Sequence, residues 1–579
     1  MYGISGFFSE WEGFNHSFTS NPQSQFQSKA SMLNSECGRY TIAYDGNLFN
    51  VCELKSEFGA TEECQIILNA FIRHGIDAFK KFNGAFAFTI FEKHNPNSHD
   101  NSGKLYLCRD QIGVKSMFYT LQNGRLAFAS ELKSLFDIPE IKAEIDIDSY
   151  REIFGIGPAR SPGNGVFKDI KEVLPGNCVV YELGSPLKSV QYWKLVSVPH
   201  TNNYEQTLNK VRELVSDAIK LQMPSITDLP PCSFLSGGID SSIVTALVSK
   251  LMQCETLKTF SFDFAGNDQY FTSNDFQPER DRPFVDKMLL EYRLNHTYLE
   301  CDMENLIDLL YTAVDVKGLP GMVDIDTSLF YFCDVVSKNY SQTVAFTGEC
   351  ADELFGGYPW FYHEELLNAN SFPWSKNLEM RTMFLSGDFL NKLNLSDYTQ
   401  NRYHESLQQV PRLHGETPVE ARRREVGFLT QQWFMQTLLA RTERACAYSG
   451  LEARVPFADY RIAQELWNVP WEMKFHGGVA KGLLREAFAD ILPKELLQRK
   501  KSPFPKTYNP GYTKALVERL NEILHDNSSP ILNLVERQKV LDFMAQPQSL
   551  IKPWFGQLMA GPQMLAYLIQ VDYWLREWR

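Results

Sequence analysis

The stretch Phe234-Leu235-Ser236-Gly237-Gly238-Ile239-Asp240-Ser241-Ser242 packs small residues and a carboxylate against the start of an apolar helix. It follows Pro230-Pro231 and runs into Ile243-Val244-Thr245-Ala246-Leu247-Val248. A short buried strand therefore delivers a Ser/Gly turn to a helix N-terminus. Glycine lets backbone N–H groups converge at close range, and the helix dipole adds positive potential, which together make an anion cradle of pyrophosphate size. Asp240 inside such a cradle would repel phosphate unless a divalent cation such as Mg²⁺ intervened, so the turn points to nucleotide chemistry. No Gly-Lys-Ser/Thr follows, which separates it from the Walker pattern.

A second acidic constellation follows the run Val344-Ala345-Phe346, in Thr347-Gly348-Glu349-Cys350-Ala351-Asp352-Glu353-Leu354-Phe355-Gly356-Gly357-Tyr358. Glu349, Asp352 and Glu353 would repel one another unless something positive sat among them. If both strands belong to one sheet, Asp240 and Asp352 emerge at neighbouring strand ends and can share a Mg²⁺ ion that bridges the phosphates of ATP.

The elements needed to position these residues can be read from periodicity. Residues 1 to about 195 alternate as antiparallel strands: Gly38–Tyr44 ending in an Asp45-Gly46 turn, Ala85–Phe91, Lys104–Cys108 and Arg125–Ala129. Glu63–His74 carries a helical stripe, and the polar run from His94 to Gly103 reads as an exposed loop. This pattern predicts a layered α+β domain. Polar residues 200–205 mark a linker. Beyond it, helices alternate with short apolar strands, Thr259–Phe264 and Thr343–Phe346, as in a doubly wound parallel sheet whose ligands bind at strand carboxyl ends. From about residue 415 onward, including 421–439 and 563–578, the chain reads as helical. Domains of 1–199 and 205–579 follow.

Bulk properties exclude several classes. A chain of 579 residues with 44% hydrophobic and 13% aromatic content is a well-packed multidomain protein. A net charge of −13 argues against a general nucleic-acid binder, and the absence of a membrane-length apolar run or an N-terminal leader argues for a cytoplasmic protein. The eleven cysteines are scattered singly, without metal-type spacing, and read as reduced.

The Ser-Gly-Gly turn resembles the pyrophosphate loop of ATP pyrophosphatases. With the Gly348-Glu349 to Gly357-Tyr358 segment, Leu451-Glu452-Ala453-Arg454-Val455-Pro456-Phe457, Gly477–Arg485 and Arg499-Lys500-Lys501 in this order, the chain resembles the asparagine synthetase family over nearly its whole length. The resemblance implies an Ntn-hydrolase-like amidotransferase domain followed by an ATP-pyrophosphatase synthetase domain. It also implies an AMP-forming carbon–nitrogen ligase using ATP and Mg²⁺. Leu235, Ser236, Gly237, Gly238, Asp240, Ser241 and Gly348 would hold ATP, with Phe262 and Phe264 near the adenine and Asp240 and Asp352 on the metal. Glu349 would face the acyl-adenylate, and Lys481, on a helix, would balance phosphate charge. Arg454 is assigned no chemistry beyond an ion pair.

The amino-terminal domain departs from the family. Members begin Met-Cys-Gly-Ile, and the cysteine attacks glutamine with its own α-amine assisting. Here Met1-Tyr2-Gly3-Ile4 keeps the frame without the nucleophile, and a bulky Tyr2 is expected to leave Met1 in place. Asp45 stands in the glutamine-binding Asn-Gly pair, and Glu63 falls where an aspartate pairs with glutamine's amino group. These positions imply a degenerate glutaminase.

The amine must then come from elsewhere. The first reading is an amide synthetase, as in β-lactam synthetases and macrolactam cyclases, that joins an amino-acid-like carboxylate to a substrate-borne amine. The alternatives are an asparagine synthetase using free ammonia, a silent scaffold, and a nucleic-acid-modifying enzyme. The retained Asp240, Glu349, Asp352 and Lys481 weigh against a scaffold, and the charge balance weighs against nucleic acid. β-Lactam synthetases carry Tyr where this chain has Glu349, which favours a synthetase-like centre. A homodimer is an open expectation.

Overall fold

The computed structural model describes residues 3–9, 13–19, 31–93, 103–225, 229–252, 256–273 and 277–578. The chain divides into two compact units, one of residues 1–144, 162–195 and 458–460, the other of 145–161, 196–457 and 461–579.

In the first unit, strands β1 (Gly3–Ser9), β2 (Gly13–Thr19), β3 (Ser31–Asn34), β4 (Tyr40–Leu48), β5 (Gly84–Glu92), β6 (Lys104–Arg109), β7 (Phe118–Gln122), β8 (Arg125–Ala129), β9 (Lys171–Glu172), β10 (Asn177–Glu182) and β11 (Lys188–Gln191) form two antiparallel sheets. Their orders are β2-β1-β8-β7-β9 and β11-β10-β6-β5-β4-β3. Alternation along the strands gives the larger sheet two apolar faces. One face carries Ile42, Tyr44, Phe86 and Phe88, which pack with Ile66, Ile67 and Phe71 of the helix Glu63–His74. The other carries Ala43, Ala87, Leu105 and Leu107, which pack with Ile4, Phe8, Leu126 and Phe128 of the smaller sheet.

The expected turn at Asp45-Gly46 does not form. β4 runs straight through it, with Asp45 opposite Ala87 and Gly46 opposite Phe86. Gly46 is needed for close approach, since a Cβ there would lie 2.1 Å from the Ala85 carbonyl oxygen. The expected loop over 94–102 lies outside the described residues.

In the second unit, β12 (Cys232–Phe234), β13 (Leu257–Phe264), β14 (Leu294–Cys301), β15 (Val344–Phe346) and β16 (Glu452–Arg454) form a wholly parallel sheet ordered β14-β13-β12-β15-β16. β12 lies at its centre, with β13 and β15 on either side. The strand order reverses there, so a crevice opens at the carboxyl ends of β12 and β15. The polar linker gives way early to the helix Tyr204–Leu221, which an Asn203/Gln206 capping box starts.

The long carboxy-terminal helices end in Gly561–Trp578, and no helix of the described residues is long and apolar enough to cross a membrane. Residues 145–161 pack in this unit, where Arg151 Nε donates to the Leu393 carbonyl at 2.8 Å. The Glu152 carboxylate accepts from the Ser161 amide at 2.9 Å, and Tyr567 Oη donates to the Ile153 carbonyl at 2.8 Å.

Candidate active site

A cavity of about 270 Å³ opens at the carboxyl ends of β12, β13 and β15. The Ser236-Gly237-Gly238 turn joins β12 to the helix Ile239–Leu251, as the sequence predicts. Gly237 adopts φ +67°, which a side chain would strain, and its back packs on Phe284 and Val285. Ser241, one turn into the helix, ties the loop together. Its Oγ accepts from the Ser236 amide at 3.2 Å and donates to the Gly238 carbonyl at 3.2 Å. Arg499, which also lines the cavity, braces the loop, donating to the Ser236 carbonyl at 2.9 Å and pairing with Asp281 at 2.5 Å. A Cβ on Gly238 would meet only Ser236 Oγ at 3.3 Å, so the cradle has room in front of it.

The acidic loop presses on the same helix end. A Cβ on Gly348 would lie 2.6 Å from the Ser241 amide nitrogen, so only glycine permits this approach. Cys350, at φ +72°, turns the chain into the short helix Ala351–Phe355. Gly357 is needed because a Cβ there would fall 1.9 Å from an Asp352 carboxylate oxygen.

The positive charge among the carboxylates comes from two lysines. Lys481 Nζ lies 2.6 Å from Asp240 and 2.7 Å from Asp352, and Lys501 Nζ lies 2.7 Å from the other Asp352 oxygen. Burial works against ionisation of Asp352, yet the two ammonium groups hold it well below the usual carboxylate range. Asp240 shares Lys481, and burial, with the Asp352 charge, pushes it up. Burial also works against Lys481, but the two carboxylates raise it and keep it protonated. The expected lysine-bearing helix begins one residue later. Lys481 itself is the left-handed residue, at φ +58°, that precedes the helix Gly482–Ala487, and this conformation turns its side chain toward the two aspartates.

Glu353 is turned elsewhere. Its buried carboxyl accepts from Tyr358 Oη at 2.6 Å, and burial, with the Asp352 charge, pushes it up to about 7.

Glu349 lines the cavity in a fixed pose. Its Oε1 accepts from Arg441 Nη2 at 2.9 Å and from Thr442 Oγ1 at 2.7 Å. Its Oε2 is buried with no hydrogen-bond partner among the described residues. An unsatisfied buried carboxylate oxygen is costly, which marks it as a place for a ligand group. Phe262 lines the cavity beside Phe504, the rings 5.8 Å apart and nearly parallel. Phe264 packs behind Phe262 at 5.0 Å and does not reach the wall. Leu235, Ser236, Gly238, Asp240, Ser241, Gly348, Glu349, Asp352 and Lys481 all line it.

The arrangement fits a nucleoside triphosphate. The cradle suits phosphate, the Phe262 side of the cavity suits a base, and Asp240 and Asp352 offer oxygen ligands near one point. Among the described residues no three His, Cys, Asp or Glu side chains converge as a metal site. A Mg²⁺ ion here would therefore be held by the two aspartates jointly with phosphate oxygens.

Sequence reasoning missed Arg441 and Thr442, which lie on the long helix Met435–Ser449 with no local motif. Lys501 was visible only as part of a basic segment. Arg454 pairs with Glu452 at 2.6 Å, an ion pair within β16.

In the first unit, Asp45 and Glu63 are engaged internally. Asp45 pairs with Lys115 at 3.0 Å and accepts from Ser130 Oγ at 3.3 Å. Glu63 accepts from the Tyr44 hydroxyl and from the Leu48 amide at 3.0 Å. Tyr2 lies outside the described residues.

A parallel sheet that brings a Ser-Gly-Gly turn and a lysine-neutralised acidic loop to one crevice defines a nucleotide-site α/β protein, here preceded by an antiparallel α+β unit. A family model described as asparagine synthase matches residues 210–576, and one described as a glutamine amidotransferase domain matches 24–193. The chain is 40% identical to asparagine synthetase [glutamine-hydrolyzing] 3 of Bacillus subtilis (strain 168), over 93% of this chain and 88% of that protein. It is 26% identical to asparagine synthetase [glutamine-hydrolyzing] 1 of the same organism, over 82% and 77%. A putative asparagine synthetase [glutamine-hydrolyzing] 2 of Methanocaldococcus jannaschii is 29% identical over 55% and 58%. The chain belongs to the asparagine synthetase family and is an ATP-dependent carbon–nitrogen ligase.

Proposed function

We propose that this ligase adenylates an amino-acid-like carboxylate and passes the acyl group to an amine that does not come from glutamine. A carboxylate oxygen attacks the α-phosphorus of ATP, and the α–β phosphoanhydride bond breaks with its electron pair leaving on pyrophosphate. The amine nitrogen then bonds to the acyl carbon, the acyl–oxygen bond to AMP breaks, and the proton lost by nitrogen passes to Glu349. The observation that carries this reading is the fixed Glu349, held by Arg441 and Thr442 with Oε2 left unsatisfied, in one cavity with the Ser-Gly-Gly turn. Leu235 to Ser241 and Gly348 would hold ATP, Phe262, backed by Phe264, would form the adenine side, and Lys481 would exchange its aspartate partners for phosphate oxygens. Mg²⁺, held by Asp240 and Asp352, would neutralise phosphate charge.

Loss of the glutaminase rests on Tyr2 in the frame Tyr2-Gly3-Ile4 and is supported by the internal engagement of Asp45 and Glu63. In this reading residues 1–199 are an Ntn-hydrolase-like domain kept for architecture, and 205–579 carry the synthetase. A substrate-borne amine, giving an amide or lactam, profits from an effective molarity of about 10⁵ M or more in well-oriented cases. Free ammonia, giving asparagine, is the second reading, favoured by Glu349 and by the likeness to asparagine synthetases. The test supplies ¹⁵N-ammonium, aspartate and ATP. Labelled asparagine saturating at low millimolar ammonium selects the second reading. An amide or lactam formed together with AMP and pyrophosphate from a carboxylate–amine substrate, with no added ammonium, selects the first.

A further inference from the structure

The helix that fixes Glu349 also builds a wall beyond it. Phe434, Leu438, Arg441 and Thr442 all line the cavity. They fall at i, i+4, i+7 and i+8, the spacing of one helix face. A π-helical turn over Thr430–Phe434 precedes the helix Met435–Ser449 and sets this face. Such turns recur at functional sites.

The face changes character along its length. At one end Arg441 and Thr442 hold the Glu349 carboxylate, and Arg441 Nε, 6% exposed as a residue, is buried without a hydrogen-bond partner among the described residues. One turn away stands Leu438 and two turns away Phe434, whose ring meets Tyr358 edge-on at 5.3 Å. Leu558 lines the cavity as well. At 1.5 Å per residue, Leu438 and Phe434 stand about 6 Å and 12 Å along the helix from Thr442. At the phosphate end Lys481 and Lys501 pair with Asp240 and Asp352, Arg499 pairs with Asp281 and Arg485 donates to backbone carbonyls, while Lys500 lines the cavity as well.

From this we infer that the activated carboxylate carries an apolar body of roughly 6 to 12 Å, seated on Leu438 and Phe434, with its reacting end at Glu349. The inference rests on the adenylation reading above and names its substrate class. Leu438 and Phe434 are specificity-determining residues. Arg441 Nε supplies a single donor for a polar group near the reacting end.

The test is ATP–pyrophosphate exchange by the full chain with L-aspartate, octanoate, 3-phenylpropionate and L-phenylalanine in turn. At least one of the three apolar carboxylates should support exchange with kcat/KM ten-fold or more above aspartate. Leu438→Lys should lower that value about 100-fold, and Leu438→Ala about 10-fold, with the KM for ATP within two-fold of the parent, which reports an intact nucleotide site. Exchange with aspartate alone, or apolar exchange insensitive to both substitutions, would overturn the substrate class and leave adenylation standing. Exchange with none of the four would overturn both.

Discussion

The Lys481 ammonium lies 2.6 Å from the Asp240 carboxylate, joining a left-handed loop residue to the second residue of the helix Ile239–Leu251. The same ammonium reaches Asp352. The acidic cluster is therefore a neutralised network, and removing a charge from it does not simply relieve repulsion.

Lys481→Met should lower turnover about 100-fold or more, through the lost electrostatic clamp on phosphate. It should also destabilise the protein by about 3–5 kcal/mol, since it breaks a buried ion pair and leaves Asp240 unpaired. Steady-state pyrophosphate release and urea unfolding check the two effects. Normal stability with lost turnover would place Lys481 outside the structural network.

Glu349→Gln should separate the two half-reactions. ATP–pyrophosphate exchange persists, because the cradle, Asp240 and Asp352 are untouched, whereas amide formation falls about 100-fold or more. Arg441→Ala should act in the same direction more weakly, by about 10-fold on amide formation, by loosening Glu349. Equal loss of exchange and amide formation in Glu349→Gln would move its role to the adenylation step.

Glu353 should lend the protein a distinctive pH dependence. Its folded-state carboxyl titrates near 7 against an ordinary value of 4.5, raised by burial first and by the Asp352 charge second. The native state holds this proton more tightly than the unfolded chain. Its contribution is therefore fully present below about pH 4.5 and is lost as pH rises through about 7, a span on the order of 3 kcal/mol. Glu353→Gln should remove this component. Urea midpoints of parent and variant at pH 5 and pH 7.5 measure it, and parallel pH dependence in both would refute the assignment.

Glutamine should yield no glutamate above background, with or without ATP. Tyr2→Cys alone should not restore release, because Asp45 stays paired with Lys115 and Glu63 with the Leu48 amide. Glutamate formed in step with AMP by the parent protein would refute the loss of the glutaminase.

Local chemistry was legible along the chain wherever short-range rules govern. The Ser236–Gly238 turn, the helix Glu63–His74 and the strands β5, β6 and β13 follow from periodicity and small-residue punctuation, since each is decided by a few neighbouring side chains. Asp45-Gly46 misled because an Asp-Gly pair favours a turn in isolation, while pairing with β5 demands a glycine at the point of closest approach. The sequence by itself placed a Ser-Gly-Gly turn and an acidic loop at strand ends, and it named Asp240, Glu349, Asp352 and Lys481 as candidate site residues. Only the tertiary structure decided what neutralises them and what faces Glu349. Lys481, Lys501, Arg441 and Thr442 come from distant segments, and no local pattern reveals which distant side chains a parallel sheet will gather at one edge.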